Sequence, residues 1–228
     1  MNTPFPVLYE DNHLLAVVKP AGLPTMGVAP TKPSLLSLAK QYIKQKYAKP
    51  GNVYLGTVSR LDAPVTGIVL FARTSKAAAR LTAQFRTRTV QKIYWAIICP
   101  KPVPPSDTWR DWIAKDERHR RMHVVTEGHP GAQAAELSYW SRTACKSGQL
   151  VEIELKTGRK HQIRLQFGSR GFPVLGDRKY GGNAAHFSAG IALHARRLTF
   201  AHPARDETLQ LVSSLPHSWN RAGVDNSE

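Results

Sequence analysis

Short, mainly apolar runs separated by turn-forming residues dominate this chain, and they limit the folds that it can adopt. Runs of this kind, bounded by Gly, Pro, Asn, Asp or Ser, are typical of β-strands. The sequence predicts strands at Val7–Tyr9, Leu14–Val18, Val53–Val58, Ile68–Ala72, Lys92–Ile98, Glu136–Trp140, Leu150–Leu155, Phe172–Leu175, Ile191–Leu193, Leu198–Phe200 and Leu209–Val212. Residues 111–131 are polar and predict a β-excursion or an exposed loop.

Apolar residues at helical spacing predict fewer helices than strands. Ser34 can cap a helix that begins at Leu35 and ends before Pro50. Thr74–Arg86 has a second apolar face, and His161–Phe167 could open a third helix. Because the strands outnumber the helices and do not alternate with them regularly, we expect an α+β fold with a mixed, largely antiparallel central sheet. The chain has no glycine-rich dinucleotide or Walker signature.

Composition and charge narrow the class of protein. The 228 residues suffice for a single domain over 1–228, and we expect a loose tail at 220–228. Lys and Arg total 32 against 16 Asp and Glu, so the net charge of +16 favours a phosphate-bearing partner, above all nucleic acid. Two cysteines without Cys-x-x-Cys spacing predict neither a disulfide scaffold nor a zinc ribbon. We expect a cytoplasmic protein without a secretory signal or a membrane span.

Asp62 is the residue best placed for chemistry. It follows Arg60 and Leu61 in a short turn between two predicted strands. An acid in a turn usually only binds backbone amides or, here, would pair with Arg60. A second cation, which Arg164 could supply, would keep the carboxylate ionised in a cleft and suit it to attack an electron-poor carbon.

Two further segments allow a structural and a functional interpretation. Tyr94 could be a core aromatic residue or a ring that stacks on a nucleobase. The segment from Thr157 to Arg164, with Arg159, Lys160 and His161, could be a solvated helix start or a phosphate-binding site.

His194 and His202 invite a metal interpretation, but no acid or cysteine lies at ligand spacing in their segments. A glycosidase would need a second carboxylate, for which only Asp177 is a candidate.

Taken in order, these segments resemble the RluA-type pseudouridine synthase family. The matching segments are Val7–Gly22 (an opening hairpin), Ser59–Gly67 (the aspartate motif), Lys92-Ile-Tyr94, Thr157–Arg164 (similar to Gly-Arg-Thr-His-Gln-Ile-Arg), Gly171–Gly181, Leu193-His-Ala195 and Phe200–Pro203. The resemblance covers roughly residues 7–219.

The resemblance implies an isomerase with a catalytic cleft across the sheet. It would convert uridine in ribosomal or transfer RNA to pseudouridine, with no redox cofactor and no metal. Asp62 would be the catalytic carboxylate, Tyr94 would stack on the flipped base, and Arg164 would pair with Asp62. Arg60 would fill the gap that the base leaves, while Leu193 and His194 would contribute to RNA binding.

The sequence also departs from the family pattern. Ser59 stands where histidine is usual, Val65 and Thr66 replace Thr-Ser, and Lys160 replaces threonine. These changes leave open a non-catalytic RNA-binding or RNA-folding protein on the same scaffold. We expect the catalytic domain alone, acting as a monomer, without the N-terminal RNA-binding module of many relatives. Target selection would then depend on its own surface, such as Arg118–Arg121.

Overall fold

The computed structural model describes residues 4–99, 102–119, 121–183, 187 and 190–224. Its strands are β1 (Val7–Glu10), β2 (Leu14–Lys19), β3 (Gly56–Thr57), β4 (Thr66–Ala72), β5 (Gln91–Ile98), β6 (Ser106–Asp116), β7 (Arg121–Val125), β8 (Gln133–Cys145), β9 (Gly148–Leu155), β10 (Leu193–Ala201) and β11 (Thr208–Val212). The α-helices are α1 (Leu35–Lys46), α2 (Ser75–Arg86) and α3 (Gln162–Ser169). The contacts between residues divide the chain into two compact units.

The first unit, residues 1–90 and 195–214, places strands between two helices. β2 pairs antiparallel with β1 and β4, β3 also pairs with β4, and β10 pairs with β11. Alternate residues of β2 and β4 point to opposite faces. One set packs against α1, where Leu35, Ala39 and Ile43 are buried, and the other packs against α2 through Ala77 and Leu81. This core fixes the strands on both sides of the Asp62 turn.

The helices of the first unit begin where the sequence predicts. Ser34 accepts a hydrogen bond from the backbone N–H of Ser37, and the Ser37 hydroxyl accepts in return from the N–H of Ser34. Thr74 caps α2 by accepting from the N–H of Ala77. Each cap satisfies a backbone donor that the helix itself leaves unpaired.

The second unit, residues 91–194 and 215–228, has strands in the order β5-β9-β8-β6-β7, with antiparallel pairing throughout. The polar stretch at 111–131 therefore contains the end of β6 and all of β7, which pair as a β-hairpin, as one of the two alternatives expected. Helix α3 packs on this sheet, where the Phe167 ring contacts the rings of Trp109 and Tyr139. The predicted α+β fold with a largely antiparallel sheet is confirmed.

Four local predictions are wrong, the first of them Ile191–Leu193, where only Leu193 is in a strand, as the first residue of β10. Of Val53–Val58 only β3 is a strand, because Val53 and Leu55 pack against the α1 core instead of pairing. Phe172–Leu175 is not a strand, and Val174 makes only an isolated bridge to Ile98. The loose tail does not begin at residue 220, since a 3₁₀-helix at His217–Ala222 buries Trp219 completely. Residues 225–228 lie outside the described residues.

Candidate active site

Asp62 lies in the loop between β3 and β4. Its carbonyl oxygen accepts a hydrogen bond from the N–H of Val65 at 3.1 Å, which closes a four-residue turn. Asp62 is partly buried, and Arg60, two residues before it, is exposed. The predicted turn is therefore present, with an acid at its first position.

Alternate residues of this loop are anchored to the rest of the first unit. The Ser59 hydroxyl accepts from the N–H of Leu70 at 3.0 Å. The Thr25 hydroxyl donates to the Leu61 carbonyl at 2.8 Å and accepts from the Leu61 N–H at 3.1 Å. These bonds fix the backbone before and after Arg60 and immediately before Asp62. The serine that departs from the family pattern thus has a hydrogen-bonding role of its own.

Lys19 holds the other side of the turn from a buried position. Its side chain is fully buried, and the ammonium donates to the carbonyls of Pro20, Leu23 and Ala63 at 2.8, 2.8 and 2.9 Å. Three acceptors match the three donors of an ammonium group. Burial lowers the pKa of Lys19 to about 8, and the Asp62 carboxylate opposes part of this fall. Lys19 is therefore charged at neutral pH and tied to the residue after Asp62.

We expect Lys19→Met to lower the free energy of unfolding at pH 7 by about 2 to 3 kcal/mol, because three carbonyls lose the ammonium as a donor and only that of Ala63 keeps another from the described residues, the N–H of Gly22. The melting temperature should fall by about 5 to 10 °C. Above pH 8 the folded protein loses the Lys19 proton, while the unfolded chain keeps it to about pH 10.4. The unfolded state then binds more protons, so the contribution of Lys19 to stability rises between these values.

Calorimetry of both proteins at pH 7 and pH 9.5 tests this prediction. The stability difference between wild type and Lys19→Met should be larger at pH 9.5. A variant as stable as the wild type at both pH values would contradict the role of Lys19 in holding the turn.

In the second unit, Arg164 on α3 is held by Asp177. Nε and one terminal nitrogen of Arg164 donate to the two carboxylate oxygens of Asp177 at 2.6 and 2.9 Å. Both side chains are almost fully buried, with 7% and 1% of their surfaces exposed. The guanidinium carbon also lies 5.2 Å from the centre of the Tyr180 ring. The guanidinium is therefore fixed by neighbours of its own unit, and its pairing with Asp62 stays a prediction.

The Thr157–Arg164 segment is fixed around Gln162. The Gln162 amide oxygen accepts from the Thr157 hydroxyl and the Arg159 N–H, and its nitrogen donates to the Glu136 carbonyl. His161 adopts a left-handed backbone conformation with φ of 54°, and its Nδ1 lies 2.8 Å from the Tyr180 hydroxyl. This geometry leaves Lys160 exposed at the outer side of the turn.

Arg159 and Tyr94 are placed by neighbouring strands of the same unit. Arg159 is partly exposed and donates through Nε to the Ala134 carbonyl at 3.0 Å. Tyr94 on β5 is opposite Ile153 of β9 and is partly buried. Lys92, on the same face of β5, reaches the Thr157 carbonyl with its ammonium at 3.5 Å. Lys92, which shares a face of β5 with Tyr94, thus reaches the segment that carries Arg164.

Leu193 and His194 are both buried at the start of β10. Leu193 is 4% exposed and His194 is fully buried, with its ring edge-to-face against Trp219. The burial of His194 argues against a direct RNA contact and favours a structural role.

Three residues that position the site were not predicted from the sequence. Lys19 and Thr25 hold the Asp62 turn, and Asp177 holds Arg164. Lys19 and Asp177 both lie in segments that match the family, which was the available signal. The side-chain contacts of Thr25 have no such signal in the sequence.

Within residues 4–99, 102–119, 121–183, 187 and 190–224, no group of three or more His, Cys, Asp or Glu side chains could hold a metal ion. None of the helices described is long and apolar enough to cross a bilayer.

Comparison with known proteins identifies the family. The sequence profile of the RNA pseudouridylate synthase family matches residues 13–169. An uncharacterised RNA pseudouridine synthase of Bacillus subtilis, YhcT, is 33% identical over 213 residues, which cover 92% of this chain and 68% of the relative. Ribosomal large subunit pseudouridine synthase D of Zymomonas mobilis is 30% identical over 223 residues, covering 93% of this chain and 70% of the relative.

A solved structure supports the same assignment. Human RNA pseudouridylate synthase domain containing 4 superimposes with a TM-score of 0.76 at 28% identity, and the match covers 95% of this chain and 92% of the human one. The fold, the ordered motifs and these relatives agree, and the chain belongs to the RNA pseudouridine synthase family of isomerases.

Proposed function

We propose that this protein converts uridine in ribosomal RNA to pseudouridine, with Asp62 as the catalytic carboxylate. The observation that carries the proposal is the turn in which Asp62 is held between backbone positions fixed by Thr25 and Lys19. A carboxylate with a fixed backbone needs little reorganisation during reaction, which favours catalysis. Ribosomal RNA is the favoured substrate because relatives such as that of Zymomonas mobilis carry its name, and transfer RNA is the alternative.

The reaction that we propose is balanced without a cofactor. The bond between N1 of the uracil and C1′ of the ribose breaks, the base turns over, and a bond forms between C5 and C1′. C5 loses its proton and N1 gains one, so there is no net oxidation. Asp62 would assist either as a nucleophile or as a base, and both roles require its ionised form.

The remaining predicted residues would hold the RNA. Tyr94 would stack against the flipped base, and Arg60, exposed beside Asp62, would occupy the gap in the RNA. Arg164 would stabilise the Asp62 carboxylate. Lys160 and Arg159 would bind phosphates, and His161 would position their turn through Tyr180. Leu193 would form part of the apolar wall at the base.

The hairpin of β6 and β7 is a candidate for target selection. Arg118 and Arg121 are exposed at its turn, and Arg120 lies outside the described residues. We retain the monomeric state, the single domain over 1–228 and the cytoplasmic location as predictions.

An in vitro assay tests the proposed function. Purified protein is incubated with unmodified large-subunit ribosomal RNA and, separately, with transfer RNA, both carrying tritium at C5 of uridine. We expect tritium release and new pseudouridine at a small number of positions in the ribosomal RNA. Pseudouridine in transfer RNA alone would replace the substrate assignment, and none in either RNA would contradict it.

Arg164→Met should lower the rate at saturating RNA by at least about 100-fold, because a carboxylate at position 62 would lose its stabilising cation. RNA affinity should change only a few-fold. The change also leaves Asp177 buried without its partner, at a cost of about 3 to 5 kcal/mol of stability. The double variant Arg164→Met/Asp177→Asn removes both charges. If that protein folds and retains most of its rate, the predicted role of Arg164 is wrong.

A further inference from the structure

Two polar residues on the first unit's part of β10 face the same side. Arg197 and Thr199 are two positions apart, so their side chains leave the strand on one face. They are paired in register with Val212 and Gln210 of β11, respectively. Both partners are exposed, and Val212 has 48% of its surface accessible. This face of the β10–β11 hairpin is therefore open to a binding partner.

Arg197 and Thr199 carry buried polar atoms that nothing satisfies. Within the part of the chain that the structure describes, Nε of Arg197 and Oγ1 of Thr199 are buried and have no hydrogen-bond partner. Both residues nevertheless remain partly exposed. A buried polar group without a partner is uncommon in folded proteins and needs an explanation. Because the two atoms are closed to solvent, a ligand could satisfy them only after the side chains change rotamer towards the exposed side.

The charge at this position also lacks local compensation among the described residues. Some of the other described arginines form ion pairs with carboxylates, and Arg197 is not among them: these are Arg73, Arg110, Arg142, Arg164, Arg170 and Arg205. The neighbour of Arg197, Arg196, has a pKa lowered by burial and further by the Arg197 charge. An anion at this face would relieve that repulsion.

We infer that Arg197 and Thr199 form a binding site for a phosphate of the RNA backbone. The guanidinium supplies charge-assisted donors and the hydroxyl supplies a neutral donor, a combination that suits phosphate oxygens. The site rests on the proposed function for its ligand. Ala195, two residues before Arg197, packs against Gly67 of β4, the strand that follows the Asp62 turn. The bound phosphate would thus belong to a nucleotide close to the target uridine.

The test measures the affinity of a labelled 20-nucleotide oligouridylate between 50 and 300 mM salt. Loss of one phosphate contact in a single strand should reduce the slope of log affinity against log salt by about 0.7. We expect Arg197→Gln to show that reduction and to bind about tenfold more weakly at low salt. Thr199→Val removes a neutral donor, so it should weaken binding about threefold with an unchanged slope.

Arg142→Gln is the matched control, because Arg142 is exposed but its charge is already paired with Glu152 at 2.8 Å. Its slope should equal that of the wild type. An unchanged slope in Arg197→Gln, with an unchanged melting temperature, would overturn the site. The site would also be overturned if inorganic phosphate bound to saturation without displacing the oligonucleotide.

Failure of this site and failure of the proposed function have different signatures. An Arg197→Gln protein with wild-type salt dependence that still makes pseudouridine refutes the phosphate site alone. If the wild-type protein makes no pseudouridine but Arg197→Gln still shows the loss of one phosphate contact, only the proposed isomerase activity is refuted.

Discussion

Asp62→Asn should abolish pseudouridine formation, with a loss of at least about 100-fold in rate, while RNA affinity stays within about twofold of wild type. Asparagine has the same shape, and the hydrogen bonds to the loop reach backbone atoms of residues 61, 62 and 63, so the turn should persist. Only the ionised oxygen is removed. Tritium release from C5-labelled RNA measures the rate, and filter binding measures the affinity.

The control for this substitution is Asp206→Asn, which removes an exposed carboxylate from a turn of the same unit. It should keep the wild-type rate. If wild type and Asp62→Asn bind RNA equally and neither releases tritium from native target RNA, the protein is an RNA binder on this scaffold. A fully active Asp62→Asn would mean that another group performs the reaction.

Gly67→Ala should destabilise the protein by at least about 4 kcal/mol, enough to lower the melting temperature by about 10 °C or to prevent folding. A Cβ at this position would lie 2.5 Å from the backbone nitrogen of Ala195 and closer still to its carbonyl oxygen. The backbone also has φ of +112°, which strains an alanine. Thermal unfolding, or recovery of soluble protein, measures the effect.

Gly27→Ala separates backbone strain from the steric clash. Gly27 has φ of +78° in the same unit, but no atom lies within 4 Å of the position that an alanine Cβ would occupy. Its substitution should cost only about 1 to 2 kcal/mol. Equal losses of stability in the two variants would show that β4 and β10 can move apart. That result would contradict the close approach at Gly67.

The fold could be predicted largely from local patterns. The strands and helices of the first unit follow from apolar periodicity and from caps at Ser34 and Thr74, which are properties of neighbouring residues. The segments wrongly predicted as strands are shaped by the surrounding fold and not by their own apolar pattern. Phe172–Leu175 is apolar, but the flanking glycines at 171 and 176 have positive φ, so the chain turns away from a ladder. Val53 and Leu55 are buried by a helix and not by strand pairing.

The site was predictable only in part for the same reason. Asp62 and Arg164 lie in recognisable motifs, and the residues around them in sequence predict catalytic roles for both. Asp177 meets Arg164 across 13 residues, and Lys19 reaches Ala63 across 44. A lysine before proline would be expected at the surface. Its burial depends on three carbonyls that only the folded chain brings together.

The anchoring of the aspartate turn has a consequence for how this sequence can change. Leu61 and Ala63 are held through their main-chain atoms, so substitutions of their side chains leave those hydrogen bonds available. The specificity of the attachment is encoded about 40 residues upstream, in the hydroxyl of Thr25 and the ammonium of Lys19. Because Leu61 also packs against the core at α1, the freedom to vary falls mainly on Ala63, and a library randomised at positions 19, 25 and 63 should recover variation mainly at 63.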